Sequence, residues 1–366
     1  MNVLISCGGT GGHIFPAMAL ADSLGKSSPD ARFLFVLSGR AIEKDIFGKR
    51  GDRTVHLDLS TISRSFSRKS MTALMKLVIA FFRSISVILA FKPDVSVGFG
   101  GYASVPPVLA SAVMRVPVII HEQNARFGLA NRFLSVFARG VAVSFSRMLD
   151  GRNNRKYRLT GNPLRSGLVP DGKAAALGFF ALSDDRNTFL VMGGSQGSHS
   201  INDAACGAFS ALERSLLEKV QIIHLCGTED EEMRVKSTYA DLGVPAWVRP
   251  FLEDMSYAYN AADIVISRAG AMTIAEIVHF AVPSVLIPYP YGDKHQLDNA
   301  RILAEAGAAV ILDDDGRLDG LKDIVKDFIA GSSSLINAAG SLKGLMPTDA
   351  AEKLSDMISS LARARR

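Results

Sequence analysis

The chain has 366 residues, 48% hydrophobic and 21% charged, which is enough for about two domains with full cores and too apolar for a disordered chain. Its net charge of +5 is unevenly spread: residues 1–163 hold 22 Lys and Arg against 9 Asp and Glu, a surplus of +13, and the remainder carries −8. A basic first half suits an anionic partner such as a membrane surface or a pyrophosphate, whereas an acidic second half argues against a nucleic-acid groove along the whole molecule.

In chain order, continuous Val/Ile/Leu-rich runs predict strands at 3–6, 33–37, 95–97, 116–120 and 140–143, then at 188–192, 220–225, 263–266, 282–287 and 308–312. Continuous rather than alternating runs are what a parallel strand buried on both faces requires. Helical patterns separate them, which predicts βαβ units and doubly wound sheets. The first run is too short for a secretory leader, and Cys7, Cys206 and Cys226 lie far apart without metal-like pairing, so a cytoplasmic, reducing setting is expected.

The run at 3–6 leads through Gly8-Gly9-Thr10-Gly11-Gly12-His13 into a helix, and the run at 188–192 leads through Gly193-Gly194-Ser195-Gln196-Gly197-Ser198 into another. Each opens its own half. The break Thr160-Gly161-Asn162-Pro163-Leu164-Arg165 predicts domains over 1–162 and 163–346, followed by a C-terminal helix and basic tail over 347–366. Glycine turns from strand into helix present backbone amides at a positive helix end, where phosphate binds. Neither loop fits G-x-G-x-x-G, and no Walker sequence occurs, so dinucleotide and ATP readings lose ground. The acidic run Asp313-Asp314-Asp315 is predicted to be a solvated turn rather than a metal site.

Residues 71–91 form the most hydrophobic stretch, with Lys76 and Arg83 inside it, each unfavourable at a bilayer centre. The apolar arc there (Leu74, Met75, Leu77, Val78, Phe81, Phe82, Ile85, Ile88, Leu89) is wider than one buried face needs. Part is expected to pack on the first sheet and part to touch lipid, with Arg64, Arg68 and Lys69 near anionic headgroups.

Taken in order, the first glycine motif, Gly98-Phe99-Gly100-Gly101-Tyr102, His121-Glu122-Gln123-Asn124, Gly161-Asn162-Pro163-Leu164-Arg165, the second glycine motif and Arg268-Ala269-Gly270-Ala271-Met272-Thr273-Ile274-Ala275-Glu276 carry a resemblance. With Asp293-Lys294-His295-Gln296 and Asn299 they closely resemble the MurG family over residues 2 to about 310. That resemblance implies an α/β GT-B fold, two Rossmann-like doubly wound domains facing across a cleft. It also implies an inverting transferase, peripheral on the cytoplasmic face of the inner membrane. Such an enzyme moves N-acetylglucosamine from UDP-GlcNAc to undecaprenyl-linked muramoyl-pentapeptide in peptidoglycan synthesis, without a cofactor or metal.

The resemblance also implies roles for individual residues. His13 or, in competition with it, Glu122 would be the general base that takes the acceptor hydroxyl's proton. His13 could instead cap the helix or contact phosphate. Thr10, Gly11 and Gly12 would complete the pocket from the first domain, and Arg165 would add positive charge on the phosphates. Ser195 would contact the nucleotide, and Leu252 would hold uracil through its backbone. Ala271, Met272, Thr273, Ile274 and Ala275 would form a helix start facing pyrophosphate, with Glu276 on the ribose hydroxyls. Asn124 and Gln296 would read sugar hydroxyls, while His295, which stands where some relatives carry a second Gln, has no assigned role. The competing readings are another GT-B lipid glycosyltransferase, a UDP-sugar epimerase, and a non-catalytic membrane adaptor that binds UDP-sugar.

Overall fold

The computed structural model describes residues 1–59, 68–152, 155–169, 172–194, 197–291, 294–314 and 318–363. The chain divides into two compact units, one of Met1–Ser166 with Met346–Arg366 and one of Gly167–Leu345. The C-terminal segment therefore belongs to the first unit and is not a separate tail. Its helix Ala350–Arg363 places Leu354, Met357 and Ile358 in the same buried cluster as Val3, Ile5, Ile14, Leu20 and Ile119.

The first unit is built on β1 (Asn2–Ser6), β2 (Arg32–Leu37), β3 (Thr54–His56), β4 (Val95–Gly98), β5 (Val118–Glu122), β6 (Gly140–Val143) and β7 (Tyr157–Leu159). All its pairings are parallel, in the order β3-β2-β1-β4-β5-β6-β7. Register matches apolar side chains across the central strands: Ile5 lies beside Phe35 on one side and Val97 on the other. The second unit has β8 (Asn187–Met192), β9 (Val220–Leu225), β10 (Ala246–Arg249), β11 (Ile264–Ser267), β12 (Ser284–Leu286) and β13 (Ala309–Ile311). These are also parallel, in the order β10-β9-β8-β11-β12-β13. In each sheet the winding reverses between the first strand and a non-consecutive neighbour, β1 beside β4 and β8 beside β11. Open α/β sheets bind ligands at the carboxyl ends of strands at such a switch point.

The helix Arg68–Phe91 settles how its wide apolar arc divides. Ala80, Ser84 and Ile88 are buried, and Phe81, Ile85 and Phe91 pack against the cluster around Leu4, Val36 and Leu57. Leu74, Met75, Val78, Ile79, Phe82 and Leu89 are exposed, Phe82 by 62%. Only 17% of Leu74–Phe91 is buried, and that segment is long and apolar enough to cross a membrane by length and composition. Of the two phenylalanines in the expected lipid-facing arc, Phe81 therefore belongs to the protein side. Lys76 turns back to Asp58 at 3.1 Å. Arg64, and the side chains of Arg68 and Lys69, lie outside the described residues.

Candidate functional site

In the first unit the loops after β1, β4, β5 and β7 carry the sequence motifs. The first glycine loop is fixed by a residue outside all of them. Glu43, fully buried, accepts from Gly9 N (2.8 Å) and Ser38 Oγ through Oε1, and from Gly39 N (2.7 Å) and Arg40 N (3.1 Å) through Oε2. Arg40 in turn donates from Nη1 to Gly9 O at 2.8 Å. A Cβ at Gly8 would lie 2.6 Å from Glu43 Oε1, so the loop needs glycine there for this carboxylate to reach it. Glu43 sits on the next helix along, where only the fold reveals its partner.

The helix Gly11–Ser27 begins behind that loop. Its N-cap Thr10 is extended and exposed, and the Thr10 side chain makes no capping bond. Gly11, Gly12 and His13 form the first turn, so His13 is carried at the positive end of the helix. The half-buried imidazole lies along the loop after β4: a Cβ at Gly101 would come within 3.3 Å of His13 Cδ2 and 3.5 Å of Nε2. Behind it, fully buried His121 donates from Nε2 to Gly161 O at 2.9 Å. Burial pushes His121 down to about 4; the Gly161 carbonyl opposes this and nearby His13 adds to it. His121 is thus neutral at pH 7 and serves as a strut.

Glu122 is the last residue of β5 rather than part of a turn, and it is 1% exposed. Oε1 accepts from Asn124 N (3.1 Å) and Asn124 Nδ2 (3.0 Å), and Oε2 from Gly128 N (3.0 Å) and Asn131 Nδ2 (2.9 Å). A carboxylate saturated in this way shapes the loop and orients the Asn124 amide. Arg165 is half-buried with its guanidinium 4.7 Å from the Phe15 ring centroid. That contact ties it to the same helix as His13.

In the second unit, Gly193 follows β8 where a Cβ would collide with Ser198 N and the Gly197 carbonyl carbon. Ser195 lies outside the described residues. The helix Ala271–Phe280 follows β11 with Gly270 as its N-cap, so no side chain caps it. Ala271, Met272 and Thr273 are half-buried in its first turn, whereas Ile274 and Ala275 turn inward, at 0% and 4% exposure. Only the first turn of the expected stretch therefore offers itself to a phosphate. Glu276 is buried and its Oε2 accepts from Tyr259 Oη at 2.8 Å, which holds the carboxylate in place. Leu252 is buried. Gln296 Oε1 accepts from Tyr289 N at 3.0 Å, and buried Asn299 donates to Ala269 O at 3.1 Å.

Asp314 departs from the expected solvated turn. Its side chain is 8% exposed and pairs with Arg268 at 2.7 Å; Arg268 also donates to Ser198 Oγ and Ser200 Oγ. Among the described residues no group of three or more His, Cys, Asp or Glu is arranged to hold a metal ion.

Comparison with known proteins gives a consistent picture. Residues 3–143 match the Glycosyltransferase family 28 N-terminal domain, and residues 188–354 the Glycosyltransferase family 28 C-terminal domain. The chain is 40% identical, over 85% of its length and 85% of the relative's, to the UDP-N-acetylglucosamine–N-acetylmuramyl-(pentapeptide) pyrophosphoryl-undecaprenol N-acetylglucosamine transferase of Thermodesulfovibrio yellowstonii. Among solved structures it is similar to Acinetobacter baumannii MurG, with a TM-score of 0.76 at 27% identity over 98% of this chain and 99% of that one. A UDP-N-acetylglucosamine 2-epimerase from Listeria monocytogenes described as putative is similar at a TM-score of 0.69 but only 14% identity, over 99% of this chain and 97% of that one. That likeness shows a shared GT-B fold and nothing about activity.

Proposed function

The chain belongs to the MurG family of UDP-GlcNAc-dependent N-acetylglucosaminyltransferases, and from that membership we propose how its residues carry out the transfer to the C4 hydroxyl of undecaprenyl-pyrophosphoryl-muramoyl-pentapeptide. The observation that carries the reading is where the motifs fall. Most lie at the carboxyl ends of β1, β4 and β5 in one unit and of β8, β11 and β12 in the other, beside both switch points, and the Gly161–Arg165 motif follows the edge strand β7.

The second unit takes the donor. The uncapped start of Ala271–Phe280 receives the pyrophosphate, Glu276 the ribose hydroxyls, the Leu252 backbone the uracil, and Gln296 the sugar. The first unit takes the acceptor. As the C4 oxygen bonds to the anomeric carbon, His13 removes its proton, the anomeric carbon–phosphate oxygen bond breaks, and UDP leaves with the electron pair. Inversion follows from this single displacement. Developing charge on UDP is met by helix-start amides and Arg165, which are more effective in a site that excludes water. Glu122 shapes the loop that presents Asn124 to the acceptor.

Radiolabel transfer from UDP-GlcNAc to the muramoyl-pentapeptide lipid tests the reading, and no transfer to that lipid in a folded preparation would refute it. Glu276→Ala is expected to weaken UDP binding by about 1.5–3 kcal/mol, as for a hydrogen bond to a charged group. Calorimetry showing unchanged affinity would remove Glu276 from the ribose site.

The acceptor's carrier stays in the bilayer, so the first unit must reach it. The exposed face of Arg68–Phe91 inserts shallowly and the basic surplus of residues 1–163 draws anionic headgroups, making the enzyme peripheral. Phe82→Ser should lower affinity for vesicles containing anionic lipid, and lower transfer to the long-chain acceptor, while transfer to a soluble short-chain acceptor is preserved. Phe81→Ser should instead lower thermal stability, because Phe81 packs inward. Equal loss with both acceptors in Phe82→Ser would move the membrane face elsewhere.

A further inference from the structure

Arg268 directly follows β11 and is only 9% exposed. Its Nη2 donates to Ser198 Oγ at 2.8 Å, Ser200 Oγ at 2.9 Å and Asp314 Oδ2 at 2.7 Å. Its Nη1 donates to Ile287 O at 3.1 Å, and the guanidinium lies 5.5 Å from the Tyr289 ring centroid. Asp314 Oδ2 accepts a second bond, from Ser200 Oγ at 3.0 Å. Ser198 and Ser200 stand where the loop after β8 enters the helix His199–Ser210. Ile287 and Tyr289 follow β12, and Asp314 follows β13. These strands are adjacent in the order β8-β11-β12-β13. One guanidinium thus gathers the carboxyl-end loops of four neighbouring strands around the donor end of the sheet.

We infer that Asp314 is a positioning residue for donor binding, acting through Arg268 on the Ser198–Ser200 entry and on the second glycine loop. The inference rests on the donor reading above but does not require Asp314 to touch the donor. The Arg268 side chain is 10% exposed and that of Asp314 8%, so the guanidinium charge is largely removed from water. Without its carboxylate partner it becomes an uncompensated buried charge, which moves toward solvent or toward another acceptor. Either response releases Ser198 and Ser200 together. The residues that lead the loop after β8 into its helix then lose their fixed position at the donor end of the sheet. Glu43 performs the corresponding task for the first glycine loop, by accepting backbone amides directly.

The experiment uses the full chain, with UDP as the calorimetric probe and steady-state kinetics for both substrates. Asp314→Ala is expected to raise the UDP Kd and the donor KM about tenfold. That requires only about 1.4 kcal/mol of the several lost with a buried pair to reach the donor site. The acceptor KM should stay within about twofold. Asp314→Asn keeps an oxygen acceptor for Arg268 and Ser200 and should recover part of the loss. Asp313→Ala, on the exposed neighbour, should leave both constants unchanged. If Asp314→Ala does not fold, Asp314→Asn carries the test, with a UDP Kd raised severalfold expected. UDP affinity equal to wild type in a folded variant would overturn the inference, as would donor and acceptor KM values rising in step. Absence of UDP binding by the wild-type chain would overturn the donor reading itself, and this inference with it.

Discussion

His13→Ala is expected to lower kcat about 10²–10⁴-fold, the range for removing a positioned general base. UDP affinity should stay within about twofold, because none of the uridine and pyrophosphate contacts is assigned to His13. The prediction separates two roles open to an imidazole in the first turn of a helix. A base is needed only as the acceptor hydroxyl loses its proton, so its removal lowers kcat and kcat/KM together without touching ground-state donor binding. An imidazole that caps the helix or contacts phosphate would show itself as weaker UDP binding. Glu122→Gln provides the contrast. It places an amide NH₂ among the four N–H donors that the carboxylate now accepts, so at least one buried donor loses its partner. The expected result there is lost stability and a higher acceptor KM, as the Asn124 loop loosens. A fall in kcat confined to Glu122→Gln, with His13→Ala nearly active, would reverse the two assignments.

How far the fold was legible depended on where a strand lies in its sheet. Central strands such as Val3–Ser6 and Phe189–Met192 are covered on both faces, and their unbroken apolar runs announce them. The strands that the apolar runs do not indicate are β3, β7 and β10, each at a sheet edge. Their sequences, Thr54-Val55-His56, Tyr157-Arg158-Leu159 and Ala246-Trp247-Val248-Arg249, mix polar with apolar residues because one side faces away from the core. An edge strand of three or four residues also blunts unwanted pairing, which selects against the pattern that would reveal it.

The site divides along a similar line. Glycine loops and helix starts are local, so spacing in the sequence places them correctly at the carboxyl ends of strands. Glu43 lies 34 residues from the Gly9 amide it accepts, and Asp314 lies 46 from Arg268. Neither falls within a motif, and each takes its meaning from topology that brings distant loops together. Asp314 was further disguised by its acidic neighbours, which make a buried carboxylate look like part of a solvated turn. The split of Phe81 from Phe82 had the same origin: adjacent helical positions point about 100° apart, but only the fold shows which direction is inward.

The C-terminal helix was legible as a helix but not as a component of the first core, and its removal from that core should have the largest effect on stability. Leu354 and Ile358 are completely buried and Met357 nearly so, in the cluster that joins the helix Gly11–Ser27 to β1, β2, β4, β5 and β6. The fit is close: a Cβ at Gly140 would collide with Met357 Cε, and one at Gly161 would lie 2.7 Å from Pro347 O. Leu354→Ala should destabilise the first unit by about 2–5 kcal/mol through lost transfer energy and the cavity left behind. Ile358→Asp should cost more, since it places a carboxylate among apolar groups with no partner. The second unit is one continuous segment, so its unfolding should respond differently. Calorimetry of Leu354→Ala should show the transition of the first unit moved to lower temperature. The transition raised by UDP, which reports the unit that binds it, should remain in place. Unchanged unfolding in Leu354→Ala would mean the helix adds nothing to the core it occupies. A single transition that shifts as a whole, with UDP stabilisation lost, would mean that the two units unfold together and that the C-terminal helix supports both.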